Sequence, residues 1–352
     1  MCNNRSMIKL PGLIDVHVHL REPGQNEKED LASGTAAALA GGFTTVLDMP
    51  NTSKPITTIE RLDEKRNLGE QKALSNIGFY YGSLGDNLDT FEEASQKAVA
   101  LKLYLNITTG GYVLDLNKLA EIYERWPKDK PIVLHTEEST IDLAIQSLDI
   151  SNRHIHVAHM PSQEILTKIM RAKDIGRNVT CGVTPHHLFL NEEDGERIGA
   201  FAQMKPSLKS RNNVSFLWDN LDAIDLIESD HAPHTQADKK AGAFGIPGLE
   251  STLPLLLQAE QENRLSRKKL LDLTYNIPAK LFNLEVNDET YIEISEESYH
   301  YSTKGSQSKA KWSPFEGRQV FGRVRNIVLN NEIVMQDGVI NHERAIAAKK
   351  VL

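Results

Sequence analysis

The stretch Leu13-Ile-Asp-Val-His-Val-His-Leu-Arg-Glu-Pro-Gly24 gathers two imidazoles, two carboxylates and a guanidinium on one short piece of chain. The apolar, partly β-branched run before Arg21, bracketed by proline and glycine, predicts a short buried strand. Side chains alternate across a strand, so Asp15, His17 and His19 share a face. Two histidines on one face at a strand end can offer imidazole nitrogens to a single divalent ion, a pairing that zinc favours. A polar strand end without a metal has the same pattern, and these residues alone leave both readings open.

Lys102 raises a second chemical question. In Leu101-Lys-Leu-Tyr-Leu-Asn106 the leucines take one face, which turns Lys102, Tyr104 and Asn106 toward the other. An unpaired ammonium inside a sheet is costly to desolvate. It can be paired with a carboxylate such as Asp48 or Asp230. Alternatively its pKa falls, and the neutral amine adds carbon dioxide to form a carbamate whose two oxygens can bridge two metal ions. The periodicity does not choose between them. His135, His159 and Asp230 also sit at the ends of apolar runs, although His135 and His159 taken singly read as core histidines, as do His154, His156, His186 and His187.

Eight strand-like runs alternate with helical stretches between Leu13 and His231, the last strand being read over 225–231. That alternation predicts a parallel α/β sheet, either a (β/α)8 TIM barrel or a doubly wound open sheet. The polar residues His17, His19, Asn51, Lys102, His135, His159 and Asp230 fall at or near strand ends leading into loops, which suits a barrel. The expected organisation is a barrel over 13–285 and a small β-rich annex from 1–12 and 286–352. Within the annex, 302–311 is polar enough to read as a mobile loop.

At 352 residues and 40% hydrophobic, the chain can bury a large core. A net charge of −8 argues against a nucleic-acid partner or an acidic membrane surface. No apolar run reaches spanning length, and Met1 to Lys9 lacks the apolar centre of a signal peptide. Two cysteines, Cys2 and Cys181, are too few for a disulfide framework and fit a reducing, cytoplasmic setting.

The motifs Asp-Val-His-Val-His-Leu-Arg-Glu-Pro-Gly (15–24), Met-Pro-Asn-Thr (49–52), Leu-Lys-Leu-Tyr-Leu-Asn (101–106), Pro-His-His-Leu-Phe-Leu (185–190), Ser-Asp-His-Ala-Pro-His-Thr (229–235) and Pro-Gly-Leu-Glu (247–250) together resemble the amidohydrolase superfamily. Within it the chain is most similar to dihydroorotases, specifically the dihydroorotase domain of the animal-type multifunctional pyrimidine-biosynthesis protein. The resemblance spans nearly the whole chain. It implies reversible cyclisation of N-carbamoyl-L-aspartate to L-dihydroorotate, on the route to UMP, at two zinc ions bridged by a hydroxide. His17, His19, Asp230 and carboxylated Lys102 (N6-carboxylysine) would hold one zinc; Lys102, His135 and His159 would hold the other. Two dications against a carbamate, an aspartate and a hydroxide leave a positive site, suited to an anionic substrate. Asp230 would carry the proton, Arg21, Asn51 and His234 would bind the substrate carboxylate, and Thr108 and Thr109 would lie on a mobile loop hinged at Gly110-Gly111.

This chain also departs from the family pattern. Lys205 stands where animal versions place a second arginine, keeping the charge without the bidentate fork. The loop carries Thr108-Thr109 in place of threonine-phenylalanine. A cysteine and a glutamate associated with an additional zinc are replaced by Ala158 and Gly182, and Cys181 turns to the opposite face, so two metals are expected. Only twelve residues precede Leu13, which suggests a domain cut from a larger polypeptide carrying carbamoyl-phosphate synthetase and aspartate transcarbamoylase, with a homodimer expected. The competing expectations are another cyclic amidase of the hydantoinase or allantoinase type, and a catalytically silent scaffold domain.

Overall fold

The computed structural model describes residues 7–106, 114–151 and 153–352. Short apolar runs buried on both faces become parallel strands once helices cover them. After β1 (Met7–Pro11), eight such strands follow: β2 (Leu13–Val18), β3 (Phe43–Asp48), β4 (Asn76–Gly82), β5 (Ala100–Tyr104), β6 (Ile132–His135), β7 (Ile155–Val157), β8 (Val179–Val183) and β9 (Leu226–Ile227). They pair in chain order, all parallel. The sheet closes where Val18 bridges His231 and the His19 amide donates to the His231 carbonyl at 2.8 Å. A doubly wound sheet reverses its order at a switch point. This one does not, and it is a (β/α)8 barrel.

Ile14, Val16, Leu47, Tyr80, Val133 and Leu226 fill the barrel in one cluster with Phe282. Leu101, Leu103 and Leu105 belong to the outer cluster, against the helices. Lys102 therefore faces inward, as the leucine alternation requires. Helices begin at side-chain caps that satisfy their free amides, including Asp30, Asp115 and Ser162.

A second, antiparallel sheet runs β1-β10-β11-β12-β13, with β10 (Tyr291–His300), β11 (Gln319–Leu329), β12 (Glu332–Gln336) and β13 (Val339–Ile340). Asn330 and Asn331 take φ values of 49° and 70°, the left-handed pair that a tight hairpin turn needs and that asparagine tolerates. Among the described residues, no helix is long and apolar enough to cross a membrane.

Three expectations change. The eighth strand is only Leu226–Ile227. The Asp15 carboxylate takes the Ser229 amide at 3.2 Å, and Asp230 turns left-handed at φ 45°, so the ladder ends early. Pro278 predicts a break in the helical run over 265–284, and the interruption takes the form of a wider π turn over Asp272–Asn276, after which the helix resumes at Ile277. The 302–311 segment has no regular structure, yet it is tied down. Buried Glu29 accepts from Ser308 Oγ at 2.5 Å and from the Lys309 amide at 3.2 Å, and Glu250 accepts the Gln307 amide at 2.9 Å. Polarity reads as mobility only when the partners, here 57 and 279 residues away in sequence, are out of view.

Asp48 does not pair with Lys102. It sits 2.8 Å from buried Lys65 Nζ, and its other oxygen accepts the Leu20 amide at 2.9 Å, holding the strand end just after His19. Removing one partner of a buried pair strands the other charge. Lys65→Met should therefore cost about 3–5 kcal/mol of stability, read from urea unfolding midpoints, while Lys65→Met with Asp48→Asn should cost less. Equal losses in the two variants would contradict a stranded charge.

Candidate metal centre and cavity

At the C-terminal end of the barrel a cavity of about 460 Å³ is lined by His17, His19, Arg21, Asn51, Tyr104, His135, His159, Lys205, Asp230 and His234. His17 Nε2 and His19 Nε2 lie 3.5 and 3.0 Å from Asp230 Oδ1. Ligand atoms of these three residues all fall within 4.8 Å of one another. The opposite ring nitrogens are committed: His17 Nδ1 lies 3.1 Å from Glu228 Oε2, and His19 Nδ1 lies 2.7 Å from Asn51 Oδ1. Acceptors at Nδ1 place the proton there and turn each Nε2 lone pair toward the Asp230 carboxylate. Lone pairs facing a carboxylate repel, and a cation among them removes the conflict. The donor set therefore fits a metal ion.

A second set lies alongside. His135 Nδ1 and His159 Nε2 approach to 2.9 Å. Lys102 Nζ and His159 Nδ1 are buried with no hydrogen-bond partner among the described residues. Burial lowers the Lys102 pKa to about 8, against the opposing pull of Glu228 and Asp230. An orphaned, partly neutral amine is the species that carbamate formation requires.

The backbone is strained where these groups enter the cavity. Arg21, His159 and Asp230 take φ values of 66°, 38° and 45°. Non-glycine residues in that region cost on the order of 1–3 kcal/mol each and cluster at functional sites. Strand alternation by itself places His156 and His159, three residues apart, on opposite faces, but His156 also points inward. Its Nδ1 meets Thr180 Oγ1 at 2.9 Å and its ring packs on Phe282, while the left-handed turn at His159 swings that ring to the cavity after β7 has ended.

Arg21 Nη2 lies 3.0 Å from His234 Nε2, and its Nε donates to the Pro233 carbonyl at 3.1 Å. Burial and the Arg21 charge lower the His234 pKa to about 3, so His234 is neutral. Asn51, expected on the substrate, also orients His19. Lys205 is exposed at the rim, with Nζ 4.8 Å from the centre of the Phe244 ring. Thr108, Thr109 and the Gly110-Gly111 hinge lie outside the described residues. Sequence reasoning missed Glu228, although a charged residue two before Asp230 in an apolar run carries the same signal as Lys102. It also passed over the Tyr104 hydroxyl, buried beside the cavity and without a hydrogen-bond partner among the described residues.

The chain matches the amidohydrolase family over residues 8–287 and belongs to that family. Family membership and the His17, His19 and Asp230 cluster imply a metal cofactor. The chain is 43% identical, over 96% of its length, to the multifunctional protein CAD of Squalus acanthias, of which it spans 15%. It is 35% identical to a dihydroorotase of Pyrococcus horikoshii, covering 96% of this chain and 83% of that one. Among solved structures, the L-hydantoinase of Arthrobacter aurescens superposes with a TM-score of 0.89 at 24% identity, over 98% of this chain and 88% of that one. At that identity the likeness shows the fold alone.

Burial lowers the pKa of His17, His154 and His187 to about 4. Above pH 6.5 these rings are neutral in both folded and unfolded chains. Between pH 6.5 and about 4 the unfolded chain binds protons that the folded chain refuses, so stability falls by about 1.4 kcal/mol per pH unit for each ring. Asp15, raised to about 7 by burial, works the other way between pH 7 and 3.8 and offsets one of them. The metal-free chain should therefore lose stability from pH 6.5 to pH 4.5. A flat urea midpoint over that range would contradict the burial of these rings as neutral species.

Proposed function

We propose that this chain is a dihydroorotase, catalysing the reversible closure of N-carbamoyl-L-aspartate to L-dihydroorotate and water in pyrimidine biosynthesis. One observation carries the reading: the Arg21 guanidinium, an anchor for a carboxylate, lines the same cavity as the His17, His19 and Asp230 cluster. The archaeal relatives whose length this chain largely covers, at 83% and 87%, are named dihydroorotases, which supports it. A hydantoin ring has no carboxylate for Arg21 to meet.

Residues 13–285 form the proposed catalytic barrel, with 1–12 and 286–352 as its annex. In the proposed site, Lys102 takes up carbon dioxide at Nζ with loss of a proton. The resulting carbamate, together with His17, His19 and Asp230 on one side and His135 and His159 on the other, would hold two zinc ions. When bound, the pair supplies a hydroxide nucleophile near neutral pH and draws electron density from the ring carbonyl. Asp230 accepts the proton of the attacking water and delivers it to the ring nitrogen as the C–N bond breaks. In closure the proton travels the other way. Arg21 grips the substrate carboxylate with paired N–H groups, and Asn51 and neutral His234 complete the cradle. Lys205 adds charge at the rim. The similarity to CAD extends the proposal to a larger chain with carbamoyl-phosphate synthetase and aspartate transcarbamoylase domains, working as a cytoplasmic homodimer.

The zinc-loaded chain should hydrolyse dihydroorotate and leave unsubstituted hydantoin untouched. Closure of a dianion to a monoanion consumes one proton, so the equilibrium ratio should shift about tenfold per pH unit toward carbamoyl-aspartate as pH rises. A ratio flat from about pH 6 to 9 would overturn the reaction assignment. Lys102→Ala should abolish turnover, with short carboxylic acids restoring a part by occupying the vacated space. Full activity in that variant would remove the carbamate from the reading.

A further inference from the structure

We propose that Glu228, reaching from the end of β9 into space left open by Gly182 on β8, is a positioning residue that orients one histidine of each metal set, His17 and His159. The proposal rests on the metal-centre reading above and adds a residue that reading does not use.

The Glu228 side chain is fully buried, and among the described residues it forms no pair with lysine or arginine. Its partners are His17 Nδ1, 3.1 Å from Oε2, and the backbone amide of His159, which donates to Oε1; His156 Nε2 stands farther off, 3.9 Å from Oε1. A carboxylate buried without a permanent cation is expensive, with an effective penalty of several kcal/mol. Stability does not account for it, but its contacts do. Acceptance from Nδ1–H makes Nε2 the lone-pair nitrogen of His17, turns the ring toward Asp230 and raises its basicity as a ligand. Acceptance from the His159 amide holds the peptide that leads into the left-handed turn at φ 38°, and thereby aims the second ring.

Gly182 supplies the independent observation. Its φ is not in the left-handed region, so the backbone there does not demand glycine. Glycine inside a strand weakens it and often marks a close approach by another group. Here a Cβ on residue 182 would lie 2.3 Å from Glu228 Oε1 and 2.9 Å from Glu228 Cδ, with Leu226 Cδ1 at 2.8 Å; the nearest atom is the carboxylate oxygen. The two positions therefore share one volume. Glycine on β8 makes room for a carboxylate from β9, and any side chain at 182 would push that carboxylate off His17.

The test measures zinc affinity by chelator competition on the full chain, alongside the His17 tautomer by imidazole ¹⁵N NMR of the metal-free protein. Glu228→Gln keeps the volume and should weaken zinc about 10–100-fold, with His17 losing its uniform Nδ1–H tautomer. Gly182→Ala should weaken zinc in the same way by displacing Glu228. Gly182→Glu with Glu228→Ala, which delivers a carboxylate to the same volume from the other strand, should recover part of the loss. Should Glu228→Gln fail to fold, the wild-type tautomer still decides, and an Nε2–H form of His17 would overturn the proposal. Wild-type zinc binding with Glu228→Gln within about twofold of it would overturn this inference alone. No zinc binding by the wild type would overturn the metal-centre reading and this inference together.

Discussion

The site depends on one junction, the meeting of β2 with the segment that follows β9. Eight parallel strands leave two edges of unpaired amides and carbonyls, and those groups must find partners. They find each other through Val18, His19 and His231, which closes the barrel. The same closure sets Asp15, His17 and His19 against Glu228, Ser229 and Asp230, more than two hundred residues away in sequence. Asp15 replaces a ladder bond by accepting the Ser229 amide, and this lets the chain leave the sheet early and turn Asp230 toward the two histidines. A metal-binding geometry follows from satisfying the backbone.

Around that junction the buried charges are held by hydrogen bonds more than by ion pairs. His231, next to Asp230, accepts the Gly248 amide at Nδ1 (3.1 Å), so its Nε2 carries the proton and faces Glu29 at 3.5 Å. Glu29 in turn holds Ser308 and Lys309, and Trp312 Nε1 donates to the His234 carbonyl at 2.8 Å. The annex is thus fastened through neutral and charged hydrogen bonds to the residues that flank the cavity. Low dielectric makes each such bond strong when satisfied and costly when broken. The polar 302–311 segment, loop by composition, is a strap in the structure for that reason.

Much of this was legible in the order of residues. Alternation along a strand put Lys102 inside and its flanking leucines outside, and the run lengths and the polar strand ends pointed to a barrel with its site at one rim. The Asp-Val-His-Val-His-Leu-Arg and Ser-Asp-His-Ala-Pro-His motifs identified which rim residues to watch. These signals survive without coordinates because they come from local rules: side-chain periodicity, the cost of burying an unpaired charge, and the ligand chemistry of imidazole and carboxylate.

Tertiary structure alone decided the rest. Alternation alone does not bring His156 and His159 to one side; both face inward because His159 reaches the cavity through a left-handed turn that no residue type announces. Asp48 was available to Lys102 on paper, yet Lys65 arrives from a helix and takes it. Glu228 read as part of a strand until folding laid it into the volume missing at Gly182. In the last two cases the deciding contact joins residues on different elements, and its energy depends on distance and burial. Local sequence rules determine which way a side chain leaves its own strand; which group waits for it there is settled only when the barrel closes.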